Sequence, residues 1–289
     1  MSTSILSILS GIAGMFGWGI YDFLGSVYAK QIGPFKSLFW SQLAGLISTL
    51  LLLFVFTIHL KAPILVILLL PIAAIIYSAG YLFFFKGFQI GNVSIVAATM
   101  NLWTVFTMLF AFIFMGQRLS IIQSFGVLMI ISGVALASLK WRNIRNQRFQ
   151  LSSGVKETVI GAFFFGVFWN ISEVISEEIG WLLTTLFVKF GIVLFLLLFS
   201  FLIKRELDLT KATTKTKYMV VVMGIIEAGA VAIVNYGLTI GDAILITPIA
   251  SALSIVTITL AIIFLKDTVT KLQTLGIITA IAGIIVTAF

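Results

Sequence analysis

Gly87-Phe88-Gln89-Ile90-Gly91 opens a stretch that crosses an apolar run, reads Gly116-Gln117-Arg118-Leu119-Ser120, and enters a second apolar run ending at residue 139. Shifted by 150 positions, the stretch recurs as residues 237–289. Gly87, Ile90 and Gly91 fall on Gly237, Ile240 and Gly241, and Phe114, Gln123, Gly126 and Gly133 fall on Phe264, Gln273, Gly276 and Gly283. Eleven of the 53 aligned positions are identical without a gap. Apolar composition produces chance matches, but it does not repeatedly set glycine on glycine and Gln on Gln. The chain reads as an internal duplication, so its function is to be sought where the halves meet.

Apolar residues make up 61% of the sequence and charged residues 10%. A soluble domain carries roughly 25% charged residues, so this composition predicts an integral membrane protein. The net charge is +8, from 18 basic and 10 acidic residues. Most basic residues sit in short breaks between apolar runs, which points to orientation in a membrane rather than to nucleic acid. With no cysteine and one histidine, His59, disulfides, thiolate sites and histidine clusters are excluded, and no metal is expected. The first apolar run lacks a basic leader and a clear cleavage site, so it reads as a retained span.

A spanning helix needs about 20 apolar residues. Ten such runs are expected, at 5–28, 36–58, 63–86, 93–115, 121–139, 155–176, 181–203, 217–240, 243–265 and 271–288. The expected fold class is an all-α integral membrane protein of ten transmembrane helices. Residues 1–140 form one five-helix repeat, 141–154 a basic linker, and 155–289 the second repeat. Five is odd, so homologous halves cross the membrane in opposite senses and form an inverted repeat. The odd-numbered loops carry fifteen Lys or Arg, and the even-numbered ones only Lys61 and Arg118. That bias predicts odd loops in the cytoplasm and both termini outside, in a multi-pass protein of the cell membrane.

This layout resembles the drug/metabolite transporter superfamily, and within it the ten-helix EamA-like group, over nearly the whole chain. The motif that carries the resemblance is Gly116-Gln117-Arg118, then Gln123, Gly126 and Gly133. It recurs in degenerate form as Lys266-Asp267-Thr268, then Gln273, Gly276 and Gly283. Trp18-Gly19 and Trp169-Asn170 fit the first span of each half. The sequence departs from the family pattern at Gln117, where an acidic residue is usual, and in having a fourth-span proline, Pro248, only in the second half. The family is also usually described with both termini cytoplasmic. The resemblance implies a transporter of amino acids or related metabolites.

Charges inside a bilayer are costly and therefore candidate functional groups. Four lie within the expected spans: Asp22, Glu173, Lys189 and Glu227. Asp22 and Glu173 each follow a tryptophan, Trp18 and Trp169, by four residues, on one helix face. They are expected toward opposite mouths of a central cavity, or else hydrated near the headgroups. Lys189 and Glu227 fall at similar depth, where each lowers the other's desolvation cost. Such a pair either locks the second half or supplies a site for a zwitterion or proton. In the first half Gln42 stands near the Lys189 position, and Tyr77 or Ser78 near Glu227. Tyr81, Asn101, Trp103, Trp169 and Asn170 complete the candidate substrate-binding set. Trp40 and Asn235 also recur near mid-span. Gly11, Gly14, Gly17 and Gly19 in the first span read mainly as a close-packing face.

No Walker loop, His-Glu-x-x-His or Gly-x-Ser-x-Gly occurs, so ATP-driven and hydrolytic chemistry are not expected, nor is any cofactor. The leading expectation is a non-enzymatic secondary active transporter. It moves a small polar or amphipathic metabolite by alternating access, with protons as a candidate coupling ion. Its partners are the small-molecule substrate and membrane lipids, and it acts as monomer or homodimer. Competing readings are transport of sugars or organic cations, a lipid scramblase or flippase with a groove open to lipid, and a membrane-embedded enzyme.

Overall fold

Apolar chain in lipid must satisfy its own backbone hydrogen bonds, and helices do so within one segment. The computed structural model describes residues 3–56, 62–114, 116, 118, 120–138, 151–240, 250 and 252–287, and these are helical with short connections. The helices are α1 (Thr3–Ile32), α2 (Pro34–Leu52), α3 (Ile64–Ile90), α4 (Val93–Met100), α5 (Leu102–Phe114) and α6 (Ile121–Ser138). They continue as α7 (Val155–Leu202), α8 (Thr214–Ile240), α9 (Leu253–Leu260) with a π-helical turn at Ala261–Leu265, and α10 (Lys271–Thr287). Five segments are long and apolar enough to cross a membrane: Pro34–Leu52, Ile64–Ile90, Val93–Phe114, Val155–Leu202 and Thr214–Gly237. Shorter apolar helices cover Ile121–Ala137, Leu253–Leu265 and Lys271–Val286. His59, Gln117, Gly241, Pro248 and residues 141–150 of the basic linker lie outside the described residues.

Several boundaries differ from the expected ones for local reasons. α1 runs on through Lys30 and Gln31 because nothing stops it before Gly33, whose φ of 88° breaks the helix. Pro34 then starts α2 at a position where a missing N–H costs nothing. The fourth expected span is two helices, α4 and α5, joined at Asn101, where the bonding tightens to Asn101 N to Ala98 O at 3.3 Å. α7 has 48 residues, about 72 Å at 1.5 Å each and more than twice a bilayer core. It is kinked at Gly180, with φ 78° and ψ 164°.

The repeated motif residues have identifiable structural work. Gln123 and Gln273 are the last residues of capping boxes. Ser120 N donates to Gln123 Oε1 at 2.9 Å, and Gln123 N donates back to Ser120 Oγ at 3.1 Å. Thr270 N and Gln273 Oε1 do the same at 3.0 Å, and Gln273 N reaches Thr270 Oγ1 at 3.3 Å. Asp267 caps a helix that is not its own. Its Oδ2 accepts from Ser94 N at 2.9 Å, at the positive end of α4.

The glycines bring α6 against α10. A Cβ on Gly133 would stand 2.4 Å from Ala280 N and 2.6 Å from Gly276 O, and one on Gly283 2.7 Å from Gly126 O. As residue numbers rise along α6 they fall along α10, so the two helices are antiparallel. Gly133→Ala is expected to destabilise the protein by about 1–3 kcal/mol, because the obstruction is backbone and cannot step aside. Gly229→Ala on α8, which meets nothing within 4 Å, is the control and is expected to leave the melting temperature unchanged or higher.

Elsewhere α1 packs on α8 and α9, and α3 on the first part of α7. Gly14 faces Val234, Gly17 faces Ala230, and Gly19 faces Val256, as expected of a close-packing face. The loop after α7 reaches the α1–α2 end through Lys36 Nζ to Asp208 O and Trp40 Nε1 to Leu207 O, both 2.7 Å. Gly91 abuts Ser153, and Asn92 bonds Thr268 O at 3.4 Å. The described parts of the odd-numbered loops thus neighbour one another at one end of the bundle.

Candidate functional site

Tyr77 on α3 and Glu227 on α8 are 150 positions apart, at equivalent points of the repeat, and they meet. The Tyr77 hydroxyl donates to Glu227 Oε1, and Lys189 Nζ on α7 forms an ion pair with Glu227 Oε2. Lys189 also donates to Gln42 Oε1 on α2 at 3.1 Å. Gln42 Nε2 donates to the Tyr21 hydroxyl on α1 at 3.3 Å, and that hydroxyl shares a hydrogen with Ser41 Oγ at 3.2 Å. Ser41 Oγ donates to Leu38 O at 2.9 Å. One unbroken polar chain therefore links α3, α8, α7, α2 and α1. Lys189 and Glu227 are 2% and 0% exposed, and theirs is the only ion pair among the described residues.

Small residues make room for this chain. Gly224 lies against Ser41 O, and a Cβ on Gly45 would stand 3.2 Å from Lys189 Nζ. α2 and α8 can therefore approach with the ammonium beside them. A buried ion pair survives only when its remaining hydrogen-bonding capacity is used. Tyr77 uses one carboxylate oxygen and Gln42 a second ammonium hydrogen, which meets part of that demand.

Beside the chain lies an aromatic cavity of about 30 Å³, lined by Trp18, Asp22, Tyr77, Tyr81, Phe84, Met100, Trp103, Phe165, Trp169 and Leu253. That volume holds roughly two waters. Trp18 and Trp169, the paired tryptophans of the two halves, meet across it with ring centroids 5.1 Å apart. Trp103 and Trp169 are 6.1 Å apart, and Tyr77 and Tyr81 4.9 Å. Asp22 is 3% exposed, and its Oδ1 has no hydrogen-bond partner among the described residues. A buried carboxylate oxygen without a donor is costly, and this one lies in a cavity walled by aromatic faces.

Six of the twelve candidate residues line this cavity: Trp18, Asp22, Tyr77, Tyr81, Trp103 and Trp169. Tyr77, Gln42, Lys189 and Glu227 form the adjoining chain. The other three lie elsewhere. Glu173 is half-buried near Glu177. Asn170 turns to α5, donating to Thr107 O at 3.2 Å and to Gly166 O at 2.8 Å. Asn101 is buried at the α4–α5 break, and its Nδ2 has no hydrogen-bond partner among the described residues. Asp22 is buried within the bundle, and α1 continues ten residues past it, about 15 Å of helix.

Tyr21 and Ser41 in the polar chain, and Phe84, Met100, Phe165 and Leu253 in the cavity wall, were not among the expected residues. For Tyr21 the available signal was a hydroxyl next to the only acid of the first span. A second hollow of about 10 Å³ lies behind Glu227, lined in part by Thr184, Thr185, Lys189 and Asn235. Asn235 Nδ2 donates there to Thr185 Oγ1 at 2.9 Å.

The model of the EamA-like transporter family matches residues 5–139 and 152–289. Among curated proteins none matches the chain. A solved crystal structure of a protein is similar in fold, with a TM-score of 0.68 and 17% identity, covering 97% of this chain and 94% of that one.

Proposed function

From the fact that this chain belongs to the EamA-like transporter family, within the drug/metabolite transporter superfamily, we propose that it carries an amine-bearing metabolite across the membrane by alternating access. The family makes it a multi-pass membrane transporter of a small molecule. Amino acids and related amines are the substrate class, and Asp22 with the aromatic cavity is the recognition site. The observation that carries this reading is the unpartnered Asp22 carboxylate oxygen among Trp18, Tyr81, Trp103 and Trp169. Glu227 is a weaker candidate for substrate because both its oxygens are already bonded.

The architecture we propose is ten crossings in two inverted five-helix repeats, with boundaries at 1–140 and 155–289. The kink at Gly180, the continuity of α4 with α5, and the antiparallel α6 and α10 support it. The cavity holds only about two waters, so a metabolite fits only after the helices part, as alternating access requires. The polar chain is enclosed by helices rather than open to lipid, which favours a solute over a lipid tail as cargo.

A thermal-shift panel of amines, amino acids, sugars and nucleosides tests the substrate class. At 100 times Kd a ligand adds about 2.7 kcal/mol to native stability. Amine-bearing compounds are expected to give concentration-dependent shifts and uptake into liposomes; a response to neutral sugars alone would overturn the assignment.

For orientation we propose odd-numbered loops in the cytoplasm, as the charge bias indicates. The chain has no cysteine, so single cysteines can be read cleanly. Glu178→Cys is expected to react with an impermeant reagent on intact cells and Lys211→Cys only after lysis. The reverse pattern would place the termini inside.

A further inference from the structure

Two hollows flank the end of α7 and share Arg205 and Glu206. The first, about 460 Å³, is walled by Ile32, Phe35, Leu82, Phe199 and Ile203 and rimmed by Lys36, Lys86 and Arg205. The second, about 840 Å³, runs down the outer side of α7 past Leu198, Phe201 and Leu202, with Lys204 and Arg205 at its top. Phe201 is 84% exposed, an apolar surface suited to lipid and not to water.

The backbone that carries Lys204 and Arg205 is fixed by hydrogen bonds. Arg205 N donates to Ser200 O at 2.9 Å, and Ser200 Oγ donates to Arg205 O at 2.6 Å, closing a tight turn at the helix end. Lys204 adopts a φ of 51°, a region that residues with a Cβ occupy at some cost. Two acids stand nearby. Neither Glu206 nor Asp208 forms an ion pair among the described residues, and the Asp208 carboxylate is hydrogen-bonded to Thr210 and lies in the field of Lys36. Four cations therefore face two carboxylates, a net positive corner above a lipid-facing apolar wall. Chance snorkelling of Lys and Arg places charge at a membrane surface, but it needs neither a fixed turn nor an adjoining hollow.

We propose that this corner binds the phosphate headgroup of an anionic membrane lipid. The headgroup sits between Lys36, Lys86 and Arg205, and an acyl chain lies along Leu198 and Phe201. Basic pockets between transmembrane helices are a recurrent means of holding such headgroups. The site is independent of what the central cavity carries.

The test uses the full chain in detergent, with phosphatidylglycerol, phosphatidylcholine or inorganic phosphate added. Phosphatidylglycerol is expected to raise the melting temperature, and phosphatidylcholine and phosphate are not. Lys86→Gln with Arg205→Gln changes two exposed side chains and should leave the melting temperature in phosphatidylcholine unaltered, while at least halving the phosphatidylglycerol shift. Native mass spectrometry gives a second reading, with retained phosphatidylglycerol on the wild type and less on the variant. An equal shift in wild type and variant, an equal shift with phosphatidylcholine, or a full shift with phosphate alone would each overturn the lipid site.

Discussion

Glu227→Gln is expected to lower stability by about 3–5 kcal/mol, the usual cost of breaking a buried ion pair from one side. The substitution leaves Lys189 buried with Gln42 as its remaining side-chain partner, and it takes from Tyr77 the charged acceptor its hydroxyl now reaches. Lys189→Met combined with Glu227→Gln removes both charges and is expected to restore most of the loss. Thermal unfolding of the single and double variants reads this directly. A Glu227→Gln protein as stable as the wild type would mean the pair does not hold these helices together. Tyr77 and Lys189 already occupy both Glu227 oxygens, as in a structural clasp.

Asp22→Asn is expected to do the opposite: to leave stability equal or higher and to abolish recognition. No donor is lost at Oδ1, and an uncompensated buried carboxylate is removed. Amine binding should weaken at least tenfold, about 1.4 kcal/mol, and uptake into liposomes should fall to background. A stabilised protein with lost function is the pattern seen when an active site carries its own cost. Amine-dependent thermal shifts and uptake that persist in a folded Asp22→Asn protein would remove Asp22 from the site.

How far the site could be read from sequence depends on which coordinate is asked for. Depth along a helix follows from counting, and the repeat register set Tyr77 or Ser78 at the position equivalent to Glu227 and Gln42 near that of Lys189, with Lys189 and Glu227 at similar depth. Of these, Tyr77, Gln42, Lys189 and Glu227 do meet. Direction around a helix does not follow from counting. In a soluble protein the polar face supplies it, but here lipid and protein core are equally apolar, so the pattern carries little signal. Asn170 and Trp169 are neighbours in sequence, yet Trp169 lines the cavity and Asn170 turns to α5. Glu173 shares a face with Trp169 by spacing but lies a turn away from the cavity. The end of the first helix was less legible: the apolar run stops at residue 28, but α1 continues through Lys30 to Ile32. Gln123 and Gln273 stood out as a repeated motif. Their use as helix caps was legible too, from Ser120 and Thr270 three residues before.

The crossing of α6 and α10 also sets an order of events during synthesis. Gly126 and Gly133 lie on α6, and their partners Gly283 and Gly276 are made well over a hundred residues later. At ribosomal speeds of about 5–20 residues per second, that gap of some 150 residues lasts roughly 8–30 s. Throughout that interval the notched face of α6 has only lipid, or a neighbouring chain's α6, to lie against. The seam is therefore the last large contact to close, and the one most exposed to mispairing between nascent copies.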